Sequence, residues 1–425
     1  MNKKIISAVK GTRDFYPNDM RARRWLTETL RGAVEQFGYE EYDAPLLEPL
    51  ELFAAKSSTE IVERQSYVFE DRGGERLVVR PEMTPSLARL VATRQRELPS
   101  LLRWYTFAEC WRYERPQKGR LRNFLQANVD LIGSDSVEAD AEAIDVALSM
   151  LRALGVNLEM IEVRLNDRRL LESWLRGAGV QEEVWPAVLS LLDERDKLEA
   201  VVFEAKLTEL TSATACSALN AKLSLDANAL ASDPAMTRLN GIKEVLFALG
   251  WEKQIRIDPT IIRGFTYYTG MVFEVYDASG QFRRAIFGGG RYDGLVEAMG
   301  GTPVSGVGFA VSDVSLEQLL LTQEISIPET KKKLCMTIPY SELEAVAQQS
   351  LADLLRKEGI ATITSLPPYG FSRGLKFAEK RGVTTALLLG PEEVATQSVL
   401  VRDLKDGQQT LVAIQDLKQF LYGKE

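Results

Sequence analysis

A segment near residue 130 alternates apolar and polar side chains, as a β-strand does when it places them on opposite faces. One face carries Leu125, Ala127, Val129 and Leu131. The other face carries Phe124, Gln126, Asn128 and Asp130. A row of polar groups along a strand either contacts water or lines a binding site, and this segment alone leaves both interpretations open.

A second chemical feature is a group of charged side chains just before this segment. Arg112 closes an apolar stretch, and the loop that follows contains Glu114, Arg115, Lys118, Arg120 and Arg122. Guanidinium groups bind phosphate through two parallel N–H donors, so the loop is suited to a nucleotide. The alternative is a charged hairpin tip that faces water.

Three further segments combine charged or aromatic residues with turn-forming ones. They are Arg80 to Pro85, Arg263 to Gly270 and Gly288 to Gly294. Glu82 and Thr84 follow an apolar strand, and they either hold a substrate ammonium group or cap a helix beginning near Ser86. The glycines at 288–290 predict a narrow turn that a ligand can approach closely. Neither a Walker loop nor a GxGxxG fingerprint is present, so any nucleotide would be bound by arginines.

The chain of 425 residues contains no histidine. This excludes Ser-His-Asp and Cys-His catalysis, imidazole metal sites and a histidine pH switch. Acid, base and electrophile roles therefore fall to carboxylates, lysine, arginine, tyrosine or a ligand. The composition, 45% hydrophobic and 26% charged, is typical of a soluble globular protein with two or three domains.

Cysteine spacing and charge predict the compartment and the kind of partner. Cys110, Cys216 and Cys335 form no CxxC pair, so a reducing, cytoplasmic setting is expected. No stretch approaches the roughly 18 apolar residues that span a bilayer, so no membrane partner is expected. The net charge is −8, but residues 331–425 carry 13 basic and 11 acidic side chains. If nucleic acid binds, this end repels it least.

Hydrophobic periodicity predicts the helices that would position these groups. Residues 19–37 predict an amphipathic helix that is capped by Asp19 and ended by Gly38. Residues 138–250 are mostly helical by composition, and we expect a helical insertion at about 170–245.

Two strand pairs flank the helical region. They are predicted at 102–112 with 122–132 and at 270–277 with 283–288. A short polar linker at 324–332 contains a proline, and strands alternate with helices beyond it. The strands are predicted at 333–338, 360–365, 384–389, 397–402 and 409–414, and the helices at 341–358 and 372–381. This alternation predicts a small α/β domain with a largely parallel or mixed sheet.

Taken together, these segments resemble the histidyl-tRNA synthetases, which are class II aminoacyl-tRNA synthetases, and the resemblance covers nearly the whole chain. It is carried by Lys10 to Pro17, Phe37 to Leu50, Trp111 to Arg120 with Phe124 and Gln126, Arg263 to Gly270, and Gly288 to Gly294. Gly370 to Lys376 resembles part of the anticodon-binding domain of several class II enzymes. The implied fold class is α+β, with an antiparallel-sheet catalytic domain over 1–325, containing the insertion, and an α/β anticodon-binding domain over 331–425.

The resemblance implies ATP-dependent ligation of L-histidine to tRNA(His) through a histidyl-adenylate. ATP is a substrate, Mg²⁺ is expected with it, and no tightly bound protein metal is expected. Arg112 and Arg263 are implied as catalytic, both acting on charge at the α-phosphate. The implied ATP site is Arg112, Arg120 and Phe124. The implied histidine site is Glu82, Met83, Thr84, Arg112, Gln126, Asp130, Arg263, Tyr267, Tyr268 and Tyr292.

Within that site, the resemblance assigns different parts of the substrate to different groups. The histidine ammonium is assigned to Glu82, Thr84 and Gln126, and the two imidazole nitrogens to Asp130 and Tyr268. The resemblance also implies a homodimer that is joined through Phe37 to Leu50.

Three departures from the family pattern leave an alternative open. Residues 311–318, after Gly308 to Ala310, contain no arginine where the family has one. Thr266 replaces a common aspartate, and Asp130 stands where many members carry glutamate. A non-ligating paralogue, the histidine-sensing regulatory subunit of ATP phosphoribosyltransferase, is the alternative. The C-terminal domain favours the ligase, because that regulatory family generally lacks one.

Overall fold

The computed structural model describes residues 6–54, 64–193, 195, 198–225, 230, 233–261, 267–282, 284–328, 333–368 and 370–423. The chain divides into two compact units, Met1–Ile327 and Pro328–Glu425.

The first unit has strands β1 (Glu40–Glu41), β2 (Leu47–Pro49), β3 (Tyr67–Glu70), β4 (Arg76–Val79), β5 (Leu102–Trp111), β6 (Asn123–Ile132), β7 (Ile161–Asp167), β8 (Ile255–Ile257), β9 (Met271–Asp277), β10 (Phe287–Arg291) and β11 (Gly306–Ser312). Its helices are α1 (Pro17–Glu35), α2 (Leu50–Ala54), α3 (Thr84–Arg94), α4 (Val137–Ala153), α5 (Arg168–Gly177), α6 (Trp185–Asp193), α7 (Ala200–Leu210), α8 (Ala213–Leu223), α9 (Pro234–Ala248), α10 (Leu295–Ala298) and α11 (Asp313–Thr322).

The first unit is built on a mixed sheet whose strand order is β1-β5-β6-β11-β10-β9-β7-β8 in the described part of the chain. The pairings from β5 through β7 are antiparallel, and the outer pairings β1–β5 and β7–β8 are parallel. Aromatic and branched residues favour strands, and β5 is rich in aromatic residues while β6 is rich in branched aliphatic ones. They pair along their whole length, with Trp104 opposite Asp130. This confirms the strand pair predicted at 102–112 and 122–132.

The apolar face of β6 forms part of the largest hydrophobic core. Val129 and Leu131 belong to the same buried cluster as Ile144 and Leu148 of α4, and all four are at most 2% exposed. Leu30 of α1 belongs to this cluster as well. Each such side chain contributes about 1.5–3 kcal/mol by leaving water. The core therefore fixes one face of β6, so its other face has a defined orientation.

Helix α1 begins two residues earlier than its periodicity predicts. Pro17 occupies the first helical turn, where the missing N–H costs nothing, and Tyr16 is the N-cap residue. Asp19 is the third helical residue, and its carboxylate accepts a hydrogen bond from the Tyr16 N–H at 2.9 Å. Asp19 therefore takes part in capping the helix, but as its third residue and not as the N-cap residue. Gly38, at φ +77°, lies in the turn that follows the helix.

Most of the residues between β7 and β8 form helices, α5 to α9. Helix α5 is strongly amphipathic and buries Leu170, Leu171, Trp174 and Leu175. The region predicted as mostly helical, 138–250, does contain these helices and α4, but strand β7 interrupts it. No helix among the described residues is long and apolar enough to cross a bilayer.

The glycine run at 288–290 lies inside a strand, so the predicted narrow turn was wrong. The strand predicted at 283–288 is β10, which runs later and pairs with β9 and β11. A Cβ on Gly289 would lie 2.2 Å from the Gly308 carbonyl oxygen, and one on Gly290 would lie 2.9 Å from the Tyr268 ring. The glycines are therefore needed for close packing on both sides of a central strand.

The second unit is an α/β fold. Its strands are β12 (Cys335–Pro339), β13 (Thr362–Thr364), β14 (Thr385–Leu389), β15 (Ser398–Asp403) and β16 (Gln409–Ala413), and its helices are α12 (Ala345–Lys357), α13 (Phe371–Lys380), α14 (Pro391–Ala395) and α15 (Leu417–Tyr422). The strand order is β13-β12-β14-β15-β16, with parallel pairs around β12 and antiparallel pairs beyond β14. The mixed sheet and the α+β class are confirmed. Sequence periodicity missed α14 and α15 because each has at most six residues.

Candidate active site

The polar row on β6 is buried, so it is not a solvent-facing strand surface. Gln126, Asn128 and Asp130 are 6%, 1% and 2% exposed. The Gln126 side-chain N–H donates to Asn128 Oδ1 at 2.9 Å, and the Asn128 N–H donates to Thr84 Oγ1 at 3.5 Å. Buried polar groups are normally hydrogen-bonded, and this row is bonded to itself and to the start of α3.

Asp130 lies at the end of this row with only one of its carboxylate oxygens satisfied. The Tyr292 hydroxyl donates to Oδ1 at 2.5 Å, whereas Oδ2 has no partner among the described residues. Burial raises the pKa of Asp130 to about 7, although the Tyr292 hydrogen bond acts in the opposite direction. A Cβ on Gly308 would lie 2.2 Å from Oδ1, so a glycine is required beside it. The unsatisfied oxygen is suited to a ligand N–H.

Glu82 places a second buried carboxylate beside an aromatic cluster. It is 2% exposed, and its Oε2 accepts a hydrogen bond from the Tyr267 hydroxyl at 3.1 Å. The Tyr267 ring lies 4.9 Å from that of Tyr268 and 6.2 Å from that of Tyr292. Three tyrosines and two carboxylates therefore surround one buried region, and this combination suits a polar ligand with a ring.

Helix α3 begins at Thr84, two residues before Ser86, near which its start was predicted. Met83 is its N-cap residue, is fully buried, and makes no side-chain capping bond. Thr84 is the first helical residue, and its hydroxyl accepts from Asn128. The segment after β4 thus joins the buried row of β6.

Arg112 and Phe124 lie together at the other end of the strand pair. The Arg112 guanidinium carbon is 5.4 Å from the centre of the Phe124 ring, and Nε donates to the Pro81 carbonyl at 2.9 Å. The two terminal nitrogens of Arg112 have no hydrogen-bond partner within the described residues. A guanidinium held by Nε presents those two nitrogens to an anion.

The charged loop between β5 and β6 is partly exposed: Arg115, Lys118 and Arg120 are exposed, whereas Arg112, Glu114 and Arg122 are half-buried. Arg120 has a side chain that is 53% exposed, and it forms a 3.4 Å ion pair with Glu114. Arg122 stacks 4.1 Å over the Tyr113 ring and donates to the Glu114 carbonyl. Arg120 and Arg122 therefore both make contacts with Glu114 inside the loop itself.

The segment after Gly308 to Ala310 carries a buried acid where an arginine was expected. Asp313 begins α11, and its Oδ1 accepts from the Leu125 N–H of β6 at 3.0 Å. Its Oδ2 pairs with Arg13 at 2.6 Å, and Arg13 also pairs with Glu317 at 2.8 Å. Sequence reasoning missed this contact, although Arg13 lies in the characteristic segment 10–17. A guanidinium group thus reaches this segment from the N-terminal region.

Arg263, together with Gly264 to Thr266, lies outside the described residues. Within the described residues, no group of three or more acidic or cysteine side chains is arranged to hold a metal ion. The other implied site residues divide into two neighbourhoods. The first contains Glu82, Thr84, Gln126, Asp130, Tyr267, Tyr268 and Tyr292, and the second contains Arg112, Phe124 and Met83, which shares a buried apolar cluster with Phe124. Arg120 lies on the loop that leads into the second neighbourhood.

Family comparisons match both units of the chain. The family model of histidyl-tRNA synthetase matches residues 11–316, and that of the anticodon-binding domain matches residues 334–424. A histidine–tRNA ligase from Leptospira biflexa is 36% identical over 409 residues, which is 94% of this chain and 93% of that protein. One from Pyrococcus furiosus is 36% identical over 432 residues, which is 98% of this chain and 99% of that protein.

Solved structures share the fold. A histidyl-tRNA synthetase from Nostoc sp. PCC 7120 matches with a TM-score of 0.78 at 22% identity and covers all of both chains. A protein from Bacillus halodurans C, described as an ATP phosphoribosyltransferase regulatory subunit/histidyl-tRNA synthetase, matches with a TM-score of 0.74 at 22% identity over 92% of this chain and 99% of that one. The sequence matches above are full-length and exceed 30% identity. The chain therefore belongs to the histidyl-tRNA synthetase family of ligases.

Proposed function

We propose that this enzyme ligates L-histidine to tRNA(His) through a histidyl-adenylate. The observation that carries the proposal is the unsatisfied Oδ2 of buried Asp130, which lies beside Tyr292 in a region that also holds Glu82. An imidazole N–H satisfies such an oxygen. An aliphatic side chain does not, and it would leave the desolvated carboxylate without a partner at a cost of about 1–3 kcal/mol.

Amino-acid recognition uses the two ends of the buried region. Asp130 and Tyr268 face the imidazole nitrogens, and Glu82, Thr84 and Gln126 receive the α-ammonium group. Met83, between Glu82 and Thr84 in sequence, is fully buried and shares an apolar cluster with Phe124. Glu82 is held by the Tyr267 hydroxyl, so its position is set before the substrate arrives.

Nucleotide recognition uses the second neighbourhood. Adenine stacks on Phe124, and the terminal nitrogens of Arg112 contact the α-phosphate. Arg120 supplies a further cation from the loop. Mg²⁺ bound to the phosphates of ATP would neutralise part of their charge.

The first reaction step forms a bond from a histidine carboxylate oxygen to the α-phosphorus, and the bond from that phosphorus to pyrophosphate breaks. Arg112 and Arg263 neutralise the charge that develops on the phosphate oxygens, so no protein base is needed. In the second step a terminal ribose hydroxyl of tRNA attacks the adenylate carbonyl. An ester forms, AMP leaves with the bonding electrons, and the hydroxyl proton passes to an oxygen acceptor.

The same proposal includes the predicted assembly and compartment, a cytoplasmic homodimer. Exposed apolar side chains support the interface at Phe37 to Leu50, because Leu46 and Leu47 are 41% and 44% exposed. Phe69 of β3, in the same three-stranded sheet as Leu47, is 42% exposed. The unit at 331–425 is proposed to bind the tRNA anticodon.

A second candidate function is a histidine-sensing regulatory subunit of ATP phosphoribosyltransferase. One observation favours it, namely that Asp313 and its ion pair occupy the segment where the family has an arginine for the triphosphate. This candidate requires histidine binding without adenylate formation.

Amino-acid-dependent ATP–pyrophosphate exchange tests the proposal. The purified enzyme is assayed with each of the twenty amino acids, and Arg263→Ala is assayed in parallel. Exchange with histidine alone, lost in the variant, supports the ligase. Histidine binding without exchange would refute it and support the regulatory candidate.

A further inference from the structure

A buried carboxylate outside the proposed substrate contacts is shared by two arginines. Asp140, in the first turn of α4, is 0% exposed. Its Oδ1 accepts from Arg291 Nε at 2.9 Å and from a terminal Arg291 nitrogen at 2.6 Å. Its Oδ2 accepts from Arg238 Nε at 2.8 Å. Each carboxylate oxygen of Asp140 is therefore hydrogen-bonded to a different guanidinium group.

The first arginine lies next to the histidine pocket. Arg291 ends β10 and is followed directly by Tyr292, whose hydroxyl donates to Asp130. The Arg291 carbonyl accepts from the Thr269 N–H at 2.8 Å. Thr269 follows Tyr268 in sequence. The position of the Arg291 backbone therefore affects aromatic groups on both sides of the pocket.

The second arginine comes from the helices between β7 and β8. Arg238 lies on α9 and also donates to the carbonyls of Asp135, at 2.6 Å, and Ser136, at 3.2 Å. Those carbonyls immediately precede α4. One side chain thus joins α9 to the loop and to the carboxylate that holds Arg291.

The electrostatics make the two contacts interdependent. Burial raises the pKa of Asp140, and both arginines act in the opposite direction by stabilising its charged form. Losing either arginine leaves a desolvated carboxylate with one partner, and the remaining pair then reorganises. A displacement of α9 therefore changes how Arg291 is held.

We propose that Asp140 is a positioning residue that couples the helical insertion, through Arg238 on α9, to the histidine pocket, through Arg291. This inference rests on the proposed function, because the pocket must be a histidine site. Linkage requires the coupling to act in both directions, so histidine binding must stabilise α9.

The test compares two arginine-to-methionine variants that each remove a guanidinium contact to α4. Arg238→Met removes the contact from the insertion. Arg103→Met is the matched control, because Arg103 donates two bonds to Glu142 of α4, at 2.7 and 2.8 Å, from strand β5. Histidine affinity is measured by calorimetry, the KM for ATP by pyrophosphate exchange, and amide exchange of α9 with and without histidine by mass spectrometry.

We expect Arg238→Met to weaken histidine binding about three- to tenfold and to change the KM for ATP less than about twofold. Histidine should slow amide exchange in α9 of the unaltered enzyme but not in Arg238→Met. Arg103→Met should retain both properties. Asp140→Asn should lose more histidine affinity than Arg238→Met, and if it fails to fold, the two arginine variants still decide the question.

Two results would overturn the coupling. One is an equal loss of histidine affinity in Arg238→Met and Arg103→Met. The other is amide exchange in α9 that does not respond to bound histidine in the unaltered enzyme. Both results are compatible with histidine-dependent pyrophosphate exchange by the unaltered enzyme. If the proposed function itself is wrong, the unaltered enzyme shows no such exchange.

Discussion

The amino-acid neighbourhood and the nucleotide neighbourhood both use residues of β6, Asp130 and Phe124 respectively, but they are built differently. The amino-acid side consists of buried groups that are already hydrogen-bonded, such as Asp130 with Tyr292 and Glu82 with Tyr267. On the nucleotide side Arg120 is half exposed. The nearby cation Arg13 is already neutralised by two carboxylates.

This difference teaches where each kind of specificity originates. Rigid buried groups discriminate between ligands, because a wrong ligand leaves them without partners. Exposed cations on a loop supply positive charge with a less precisely fixed position, and they become ordered around a nucleotide when it binds. We therefore expect steric or protonation changes to impair histidine binding on the amino-acid side. On the nucleotide side, we expect the loss of individual charges to impair activity.

The largest expected effect is on the nucleotide side. Arg112→Gln removes a guanidinium that is held by Nε with its other nitrogens available, so the rate of pyrophosphate exchange should fall about 10²- to 10³-fold. Histidine affinity measured by calorimetry should change little. Arg115→Gln, an exposed arginine of the same loop, is the control and should lose less than about threefold. Equal losses in both variants would contradict a special role for Arg112.

A steric change tests the amino-acid side. A Cβ at Gly308 would lie 2.2 Å from Asp130 Oδ1 and 2.7 Å from the Val129 carbonyl, so Gly308→Ala must displace the carboxylate or the strand. Overpacking of this kind costs about 1–3 kcal/mol, and histidine affinity should fall about 10- to 100-fold. Gly294→Ala, which has nothing within 4 Å of its Cβ position, is the matched control. Unchanged histidine binding in Gly308→Ala would show that the pocket adapts.

Protonation gives a third test, because burial raises the pKa of Asp130 to about 7. The folded state binds this proton more tightly than the unfolded chain. Raising the pH from about 4 to about 7 therefore lowers the free energy of unfolding by at most about 1.4 kcal/mol per pH unit. Above about pH 7, Asp130 is ionised in both states and causes no further loss of stability. The melting temperature of Asp130→Asn minus that of the unaltered protein should increase as the pH is raised from about 5 to about 8. A difference independent of pH would mean that Asp130 ionises at its ordinary pKa.

The smallest expected effect concerns the ion pairs of Arg13. Arg13→Met leaves Asp313 buried, with the Leu125 N–H, next to Phe124, as its remaining hydrogen-bond partner among the described residues. We expect the KM for ATP to rise about three- to tenfold, with the KM for histidine unchanged. Arg31→Met, which removes a half-exposed pair with Glu41, is the control and should change neither constant. A change in histidine KM alone would place Arg13 with the amino-acid side.

Local patterns predicted the strands that carry the chemistry, but not how closely their neighbours pack. The alternation of apolar and polar side chains along β6 depends only on adjacent residues. It correctly distinguished the apolar face from the polar row that contains Asp130. The run at 288–290 was assigned to a turn because glycine has no side chain to show a period. Its conformation is decided by Gly308 on the neighbouring strand β11 and by Tyr268 in the segment that precedes β9.

Contacts between distant segments had no local signal. The pair of Arg13 with Asp313 joins residues 300 positions apart, and the pair of Arg291 with Asp140 spans 151 positions. Isolated charged residues are normally solvated, so nothing in the sequence marked these as buried partners. Only the sheet order, in which β6 lies beside β11, brings such segments together.

That strand order also has a consequence for how the protein is made. Strand β6 ends at Ile132, and its partner β11 begins at Gly306, more than 170 residues later. At about 5–20 residues per second, the ribosome needs roughly 10 to 35 seconds to synthesise the intervening chain. During that time the β6 edge that later pairs with β11 has no partner strand, while α5 to α9 emerge. The substrate pocket therefore forms late in synthesis, and pairing of β6 with β11 should limit the folding rate of the first unit.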